Sequence, residues 1–474
     1  MNQTKFIRLL SNLSQVEVKR FSKCIHSPYF NTHKDTVRLF ELIYAAYPDF
    51  KADKLKASLI FTQLYPDEAF DESKLRTLRK YLLKKLYEFL GYQEMEKDSL
   101  GFELKQLESL IHRRDHKFFE HQVKQFDKKL VERSTQSSPL FLNTFLYENL
   151  KMYYYSTHQS RWEKKDFNKT NQALDHYYLA ERLRLYCSEL NEQELFVQKT
   201  QSDFLIESIL TYCELNFESL PLLIRIYYCM VLLRLNSKNE QHYLNIKRKL
   251  PQLHKLFERT DQINVYNYLI NFCYQYYKKG KLIYEQEMFD LYQNMLKQDL
   301  LFEEALLSSN HYKNLTTLGL RLGQFDWVKK FIEEYKVYID LRYREGVFNY
   351  NMAHWHSYQE NYSEALQHLQ NVDFNDPFYR ISHNLLLLKI YYESVETEAF
   401  MALCINFQNF IRRKKELSDS QREAYLNFIQ STRALFLIKI GQRHNLEKAI
   451  IRINESDNII EKTWLLLKVE EQKH

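Results

Sequence analysis

His112, His116 and Glu120 fall at four-residue steps. On one continuous helix that spacing would put two imidazoles and a carboxylate on a single face, the start of a metal site. The intervening His-Arg-Arg-Asp-His-Lys reads as a turn and no fourth ligand is in reach, so no metal is expected there. His354-Trp355-His356 offers two imidazoles two residues apart, about 200° around a helix, so the rings diverge. A phosphate-binding loop needs glycines close together, so that backbone N–H groups can approach the anion. The closest pair is Gly319 and Gly323, in Gly-Leu-Arg-Leu-Gly, with no Lys-Ser/Thr after it, and no G-x-S-x-G nucleophile turn occurs. The expectation is a non-enzymatic protein without cofactor or metal.

One helix carries a concentrated charge. Between Ser73 and Tyr87 stand six basic residues, Lys74, Arg76, Arg79, Lys80, Lys84 and Lys85, and no acidic one. Arg76, Lys80 and Lys84 form a column at four-residue spacing opposite a Leu75/Leu78/Leu82/Leu86 stripe, a face able to meet phosphates or an acidic protein. The net charge of +6 lies entirely in residues 1–92, with 16 basic and 10 acidic side chains, because 93–474 hold 51 of each. The six cysteines form no C-x-x-C pair and most lie in apolar stretches, which fits a reducing compartment. The start, Met-Asn-Gln-Thr-Lys-Phe-Ile-Arg, has no apolar leader core, and charges bound the apolar stretches 226–233 and 385–388. A cytoplasmic chain with no membrane segment is expected.

The elements that position these residues are helices. Only seven of 474 residues are glycine and seven proline, while Tyr and Phe number 36 and 32. Sheet-rich folds need many positive-φ turns, which so few glycines cannot supply. The expected fold class is therefore all-α, with no β-sheet in 95–474. Residues 1–92 read as an N-terminal domain of five short helices. Ser14-Gln15-Val16-Glu17 is a capping box, Pro28, Pro48 and Pro66 end helices, and a last basic helix over 72–90 stops at Gly91. From 93 to 474, helical stretches follow one another across short breaks at 134–139, 236–241, 279–281, 323–324 and 418–420. Such connections make neighbouring helices antiparallel. Adjacent tyrosines (Tyr153-Tyr154-Tyr155, Tyr177-Tyr178, Tyr227-Tyr228, Tyr276-Tyr277, Tyr391-Tyr392) point about 100° apart on a helix and suit packing between several neighbours.

Glu360-Asn361-Tyr362-Ser363-Glu364-Ala365-Leu366, with Leu369 and Pro377 beyond it and Ala353 twelve residues before Ala365, resembles the turn and second helix of a tetratricopeptide repeat. Gly323-Gln324-Phe325-Asp326-Trp327-Val328 starts a similar unit with Val328 in the small-residue slot, and Ala399 with Leu403 fills matching slots in a third. Val328, Ala365 and Ala399 are 37 and 34 residues apart. The units run about 312–344, 345–377 and 378–414, departing from the pattern at Gly319, Asn349 and Glu396. Residues 140–300 carry no recognisable slots.

The resemblance implies an α-solenoid of helix hairpins that binds a protein or peptide partner on its concave face. A closing cap helix is expected over 457–470, with Ile459, Ile460, Thr463, Trp464 and Leu467 inward and Asn458, Glu461, Lys462 and Lys468 on a polar outer face. The alternative function is a regulatory nucleic-acid-binding protein that docks through Arg76, Lys80 and Lys84 while the solenoid senses a partner.

Overall fold

The computed structural model describes residues 4–133, 135–158, 167–196, 204–235, 240–370, 372, 377–442, 446–456 and 458–473. The protein is all-α. Its chain divides into two compact units, 1–133 with 142–174, and 134–141 with 175–474. The division expected at 92/93 falls inside a helix and is corrected accordingly. Ser134, residues 236–239 and Asp457, which the sequence reading assigned to two breaks and to the cap, lie outside the described residues.

The first part of the chain contains α1 Lys5–Ser11, α2 Gln15–His26, α3 Lys34–Tyr44, α4 Ala57–Leu64, α5 Glu72–Lys97, α6 Ser99–His112, α7 His116–Glu132, α8 Ser138–His158 and α9 Phe167–Phe196. The capping box on α2 is formed: Glu17 N–H donates to Ser14 Oγ at 3.3 Å and Ser14 N–H to Glu17 Oε2 at 2.8 Å. Phe6, Phe21, Phe40, Phe61, Leu75 and Leu86 belong to a core drawn wholly from residues 6–89. Helix α5 begins at Asp71, whose carboxylate accepts from the N–H groups of Ser73 and Lys74. It does not stop at Gly91 but runs on to Lys97. Gly91 is exposed with open space around its Cα, so it costs the helix only about 1 kcal/mol. The real stop is Asp98, which caps α6 by accepting from Gly101 N–H at 3.0 Å.

The second part continues with α10 Phe204–Leu215, α11 Leu222–Leu235, α12 Glu240–Leu256, α13 Arg259–Lys278, α14 Ile283–Lys297, α15 Ser309–Arg321, α16 Phe325–Tyr335, α17 Arg344–Tyr358, α18 Tyr362–Gln370, α19 Pro377–Glu393, α20 Thr397–Arg413, α21 Asp419–Lys439, α22 Leu446–Glu455 and α23 Lys462–Glu471. From α13 to α21 each helix packs on its chain neighbours. Alternate helices α11 and α13, α15 and α17, and α17 and α19 also touch. Helix α11 shows why stacking is required: nine of its fourteen residues are buried, on all sides, and no single partner covers such a surface.

Buried tyrosines tie these layers together. Tyr227 on α11 donates to Asp261 Oδ1 on α13 at 2.7 Å, and Tyr243 on α12 to Glu287 on α14 at 2.6 Å. Tyr312 on α15 bonds the Ile332 carbonyl on α16, and Tyr379 on α19 the Ser309 carbonyl on α15 at 2.8 Å. Each ring fills the interior while its hydroxyl finds a partner.

The expectation of no sheet is corrected by one antiparallel hairpin, β1 Phe302–Glu303 with β2 Leu306–Leu307. Its turn residues Glu304 and Ala305 both take left-handed φ, 48° and 65°, which closes a two-residue loop without glycine. Among the described residues the other strand pairing is a bridge between Gln136 and Phe257.

The repeat-slot residues fall as follows. Val328, Ala353 and Ala365 are fully buried, Leu369 is buried, and Phe325 and Tyr362 are partly covered. Ala399 and Leu403 are only half-buried; Phe400 and Cys404 face the core, so the third unit is set one residue later than its sequence slots. Gly319, which departs from the repeat pattern, has a packing reason. A Cβ there would lie 2.4 Å from Val328 Cγ2 and 3.3 Å from the Phe289 ring.

Gly319→Ala is expected to destabilise the protein by about 1–3 kcal/mol in urea unfolding, overpacking outweighing the helix-propensity gain. Gly319→Ala with Val328→Ala should recover most of that loss. An equal loss in single and double variants would show that this contact is not the limiting one. Ala365→Leu should cost a similar amount, about 1–3 kcal/mol, and an unchanged melting temperature would count against the α17–α18 packing described.

Candidate functional site

The basic column lies where the sequence places it, but much of its charge is answered. Lys74 pairs with Glu68 at 2.7 Å, Arg79 with Glu72, Lys85 with Glu88 at 2.8 Å, and Lys84 with Glu88 at 3.8 Å. The acids stand just outside the 73–87 window, which is why the helix alone looks unbalanced. Arg76 and Lys80 remain exposed and make no ion pair with a described residue. His112 ends α6 and His116 begins α7, with Arg114 at φ 59° between them, so they do not share a helix face. His116 instead bonds the Tyr154 hydroxyl at 3.0 Å. Among the described residues no group of three or more His, Cys, Asp or Glu could hold a metal ion.

A polar centre that sequence reasoning missed is built in the second unit from five helices and one turn. Tyr274 and Tyr277 come from the end of α13, Glu285 from the start of α14 and Arg321 from the last residue of α15. Tyr350, His354 and Tyr358 lie on α17, Lys389 on α19 and Glu461 in the turn before α23. The four-residue steps of Tyr350, His354 and Tyr358 place them on one helix face, a signal that was present in the sequence. The charge pairing had none, because Arg321 and Glu461 are 140 residues apart.

Glu461 is the hub. Its Oε1 accepts from Arg321 Nη2 at 3.0 Å and its Oε2 from Lys389 Nζ at 2.6 Å. Arg321 Nη1 also donates to the Tyr277 hydroxyl at 3.2 Å and stands 3.5 Å from Glu285 Oε1. Burial pushes the Glu461 carboxyl up, but Lys389 and Arg321 outweigh it and hold it at about 2. His354, stacked edge-on with Tyr358 at 5.4 Å, has a buried Nδ1 without a hydrogen-bond partner. Burial, then Lys389 and Arg321, lower it to about 3. Tyr274 and Tyr358 keep 50% and 39% of their surface, yet burial raises both hydroxyls. Both side chains thus reach solvent while packed among neighbouring helices.

These contacts correct the expected cap. The last helix begins at Lys462, after Glu461 takes the left-handed conformation at φ 52°. That break rotates the helix: Leu465 and Val469 are buried and Trp464 partly so, while Leu467 is 58% exposed and Thr463 is exposed. Glu461 and Lys468 do not lie on an outer polar face. The first pairs with Arg321 and Lys389, and the second pairs with Glu393 at 2.6 Å.

The geometry defines an all-α protein of packed helix pairs with a cluster of aromatic and charged side chains around Glu461. No family model, no curated protein and no solved structure matches the chain. No helix among the described residues is long and apolar enough to cross a membrane.

Removing the hub carboxylate leaves two partly buried cations facing each other. Glu461→Gln is expected to cost about 1–3 kcal/mol at pH 7 in urea unfolding; no change would mean that the pairs contribute nothing. Acid acts through both groups. Ionised Glu461, whose folded pKa of about 2 lies below the ordinary 4.5, stabilises the fold fully above pH 4.5 and loses this as pH falls toward 2. His354 stays neutral in the folded chain to about pH 3, against an ordinary 6.5, so proton uptake by the unfolded chain destabilises the protein from pH 6.5 downward. His354→Phe should therefore flatten the loss of stability between pH 6.5 and 5, by about 1–2 kcal/mol at pH 5 relative to pH 7. Parallel pH profiles for the two proteins would refute this assignment.

Proposed function

We propose that this chain is a non-enzymatic interaction scaffold, a degenerate tetratricopeptide-like solenoid that holds a protein or peptide partner along the concave face of its second unit. The observation that carries the reading is the cluster of aromatic and charged side chains around Glu461, where Tyr274 and Tyr358 keep 50% and 39% of their surface. Tyr274, Tyr277, Tyr358, Arg321 and Lys389 converge there from alternate helices. They supply the aromatic and cationic groups that dominate binding hot spots, on rigid helices that lose little freedom on binding. The free cysteines, five of the six buried, suit a reducing environment, and the reading places the protein in the cytoplasm. A second reading, nucleic-acid binding through α5, is favoured by Arg76 and Lys80 alone. Two exposed cations contribute about −1.8 to the salt slope of duplex binding.

A photo-crosslinking amino acid placed at Tyr274 or Tyr358 in cells should yield discrete protein adducts, identified by mass spectrometry. The same probe at exposed Val131 should not. Equal, diffuse labelling from all three positions would defeat the proposal. For the second reading, titration of full-length protein with duplex DNA should show binding that Arg76→Gln with Lys80→Gln abolishes; wild-type protein that leaves the duplex free defeats it.

A further inference from the structure

The β1–β2 hairpin borders a concavity at the opposite ends of α13 and α15 from the Glu461 centre. Arg321 ends α15 and Ser309 begins it, roughly 18 Å away along the helix axis. This groove measures about 1430 Å³ and is lined by residues drawn from the segments 259–263, 299–311 and 334–343. That exceeds the 300–1,000 Å³ typical of small-molecule pockets, so its size suits a segment of polypeptide.

Its charge is one-sided. Asp299, Glu303, Glu304, Glu334 and Asp340 line it, against Arg259 as the one Lys or Arg among the lining residues. The Arg259 guanidinium is occupied in bracing the hairpin, donating to the carbonyls of Asp299 and Phe302. Cations nearby are engaged as well. Arg342 grips Asp340 at 2.6 Å, Lys336 pairs with Glu345 at 2.9 Å, and Arg344 bonds the carbonyls of Val337 and Ile339. Lys330 approaches Glu334 at 3.7 Å. Asp299, Glu303 and Glu304 make no ion pair with a described residue. This excess negative charge belongs to a protein whose net charge is +6.

Between the carboxylates the groove is apolar and open. Leu306, Tyr338 and Tyr343 line it, each 42% exposed, and the Phe302 ring packs edge-on against Tyr338 at 5.3 Å. His311, also in the lining, has a buried Nδ1 with no hydrogen-bond partner, and burial lowers its pKa, keeping the ring neutral. The acids are not gathered for a metal ion. They are dispersed around apolar side chains, a pattern that matches cations spaced along an amphipathic chain.

We propose that this groove is a docking surface for a basic amphipathic peptide segment of a partner protein, whose Lys or Arg side chains meet Asp299, Glu303 and Glu304 while its apolar face covers Leu306, Tyr338 and Tyr343. The site is independent of the concave face, since it uses none of the same side chains.

The test uses the full chain and a fluorescein-labelled helical peptide of Leu and Lys, with leucines at i, i+3, i+4 and i+7, followed by anisotropy. Wild-type protein should bind it, and the same peptide with Glu for Lys should not bind. Asp299→Asn with Glu303→Gln and Glu304→Gln should weaken binding at least about tenfold, as expected when charges facing a cationic partner are removed. Leu306→Gln, which leaves every charge in place, should weaken it too. Added salt should lower wild-type affinity, a readout that does not depend on how the variants fold. Undiminished binding by the triple variant, or equal binding of the Glu peptide, would overturn the proposal. So would a sedimentation-detected dimer that the triple variant dissolves, because the occupant would then be a second copy. The crosslinks from Tyr274 and Tyr358 are expected to be the same in these variants, so failure here and failure of the scaffold reading are distinguishable.

Discussion

Much of the second unit depends on one requirement: a buried phenol must both fill space and find a hydrogen-bond partner. An aliphatic side chain in a helix interface tolerates sliding, since dispersion is nearly indifferent to register. A tyrosine does not, because leaving its hydroxyl unpaired costs about 1–3 kcal/mol. Tyr227 on Asp261, Tyr243 on Glu287, Tyr312 on the Ile332 carbonyl and Tyr379 on the Ser309 carbonyl therefore fix neighbouring helices in one relative position. The high tyrosine content is thus a device for register in a stack whose contacts are otherwise apolar.

The same need for partners separates the two polar clusters. Around Glu461 the charges are closed on one another, each carboxylate oxygen meeting a cation from a different helix. Along the β-hairpin they are left open, because the available arginines are turned toward backbone carbonyls. The first arrangement joins distant parts of one unit. The second keeps its field directed outward, where it acts on whatever approaches.

Local features of the fold were legible in the sequence. Ser14 and Glu17 formed their capping box, the Leu75–Leu86 stripe faced the core, and the scarcity of glycine announced helices. Ala353, Ala365 and Leu369 are buried. What escaped was of two kinds. Left-handed turns at Glu304, Ala305 and Glu461 use residues that carry no turn signature, so the hairpin and the start of the last helix went unseen. Charge closure over long sequence distances has no local pattern at all. Glu461 looked like an outward polar residue because Arg321 and Lys389 are remote in the chain. Gly91 and Ala399 failed for a subtler reason. A small residue on a helix fits a stop, a close contact or an idle surface, and only the neighbouring elements decide among them.

The pairing of Arg321 with Glu461 also orders events during synthesis. At translation rates of about 5–20 residues per second, the 140 residues between them take roughly 7–28 s to appear. Helices α16 to α22 emerge in that interval, and until Glu461 follows them Arg321 has Glu285 alone as a carboxylate neighbour and Lys389 lacks its ion-pair partner. The nascent chain therefore carries a cationic cluster that the turn before α23 neutralises only when it follows.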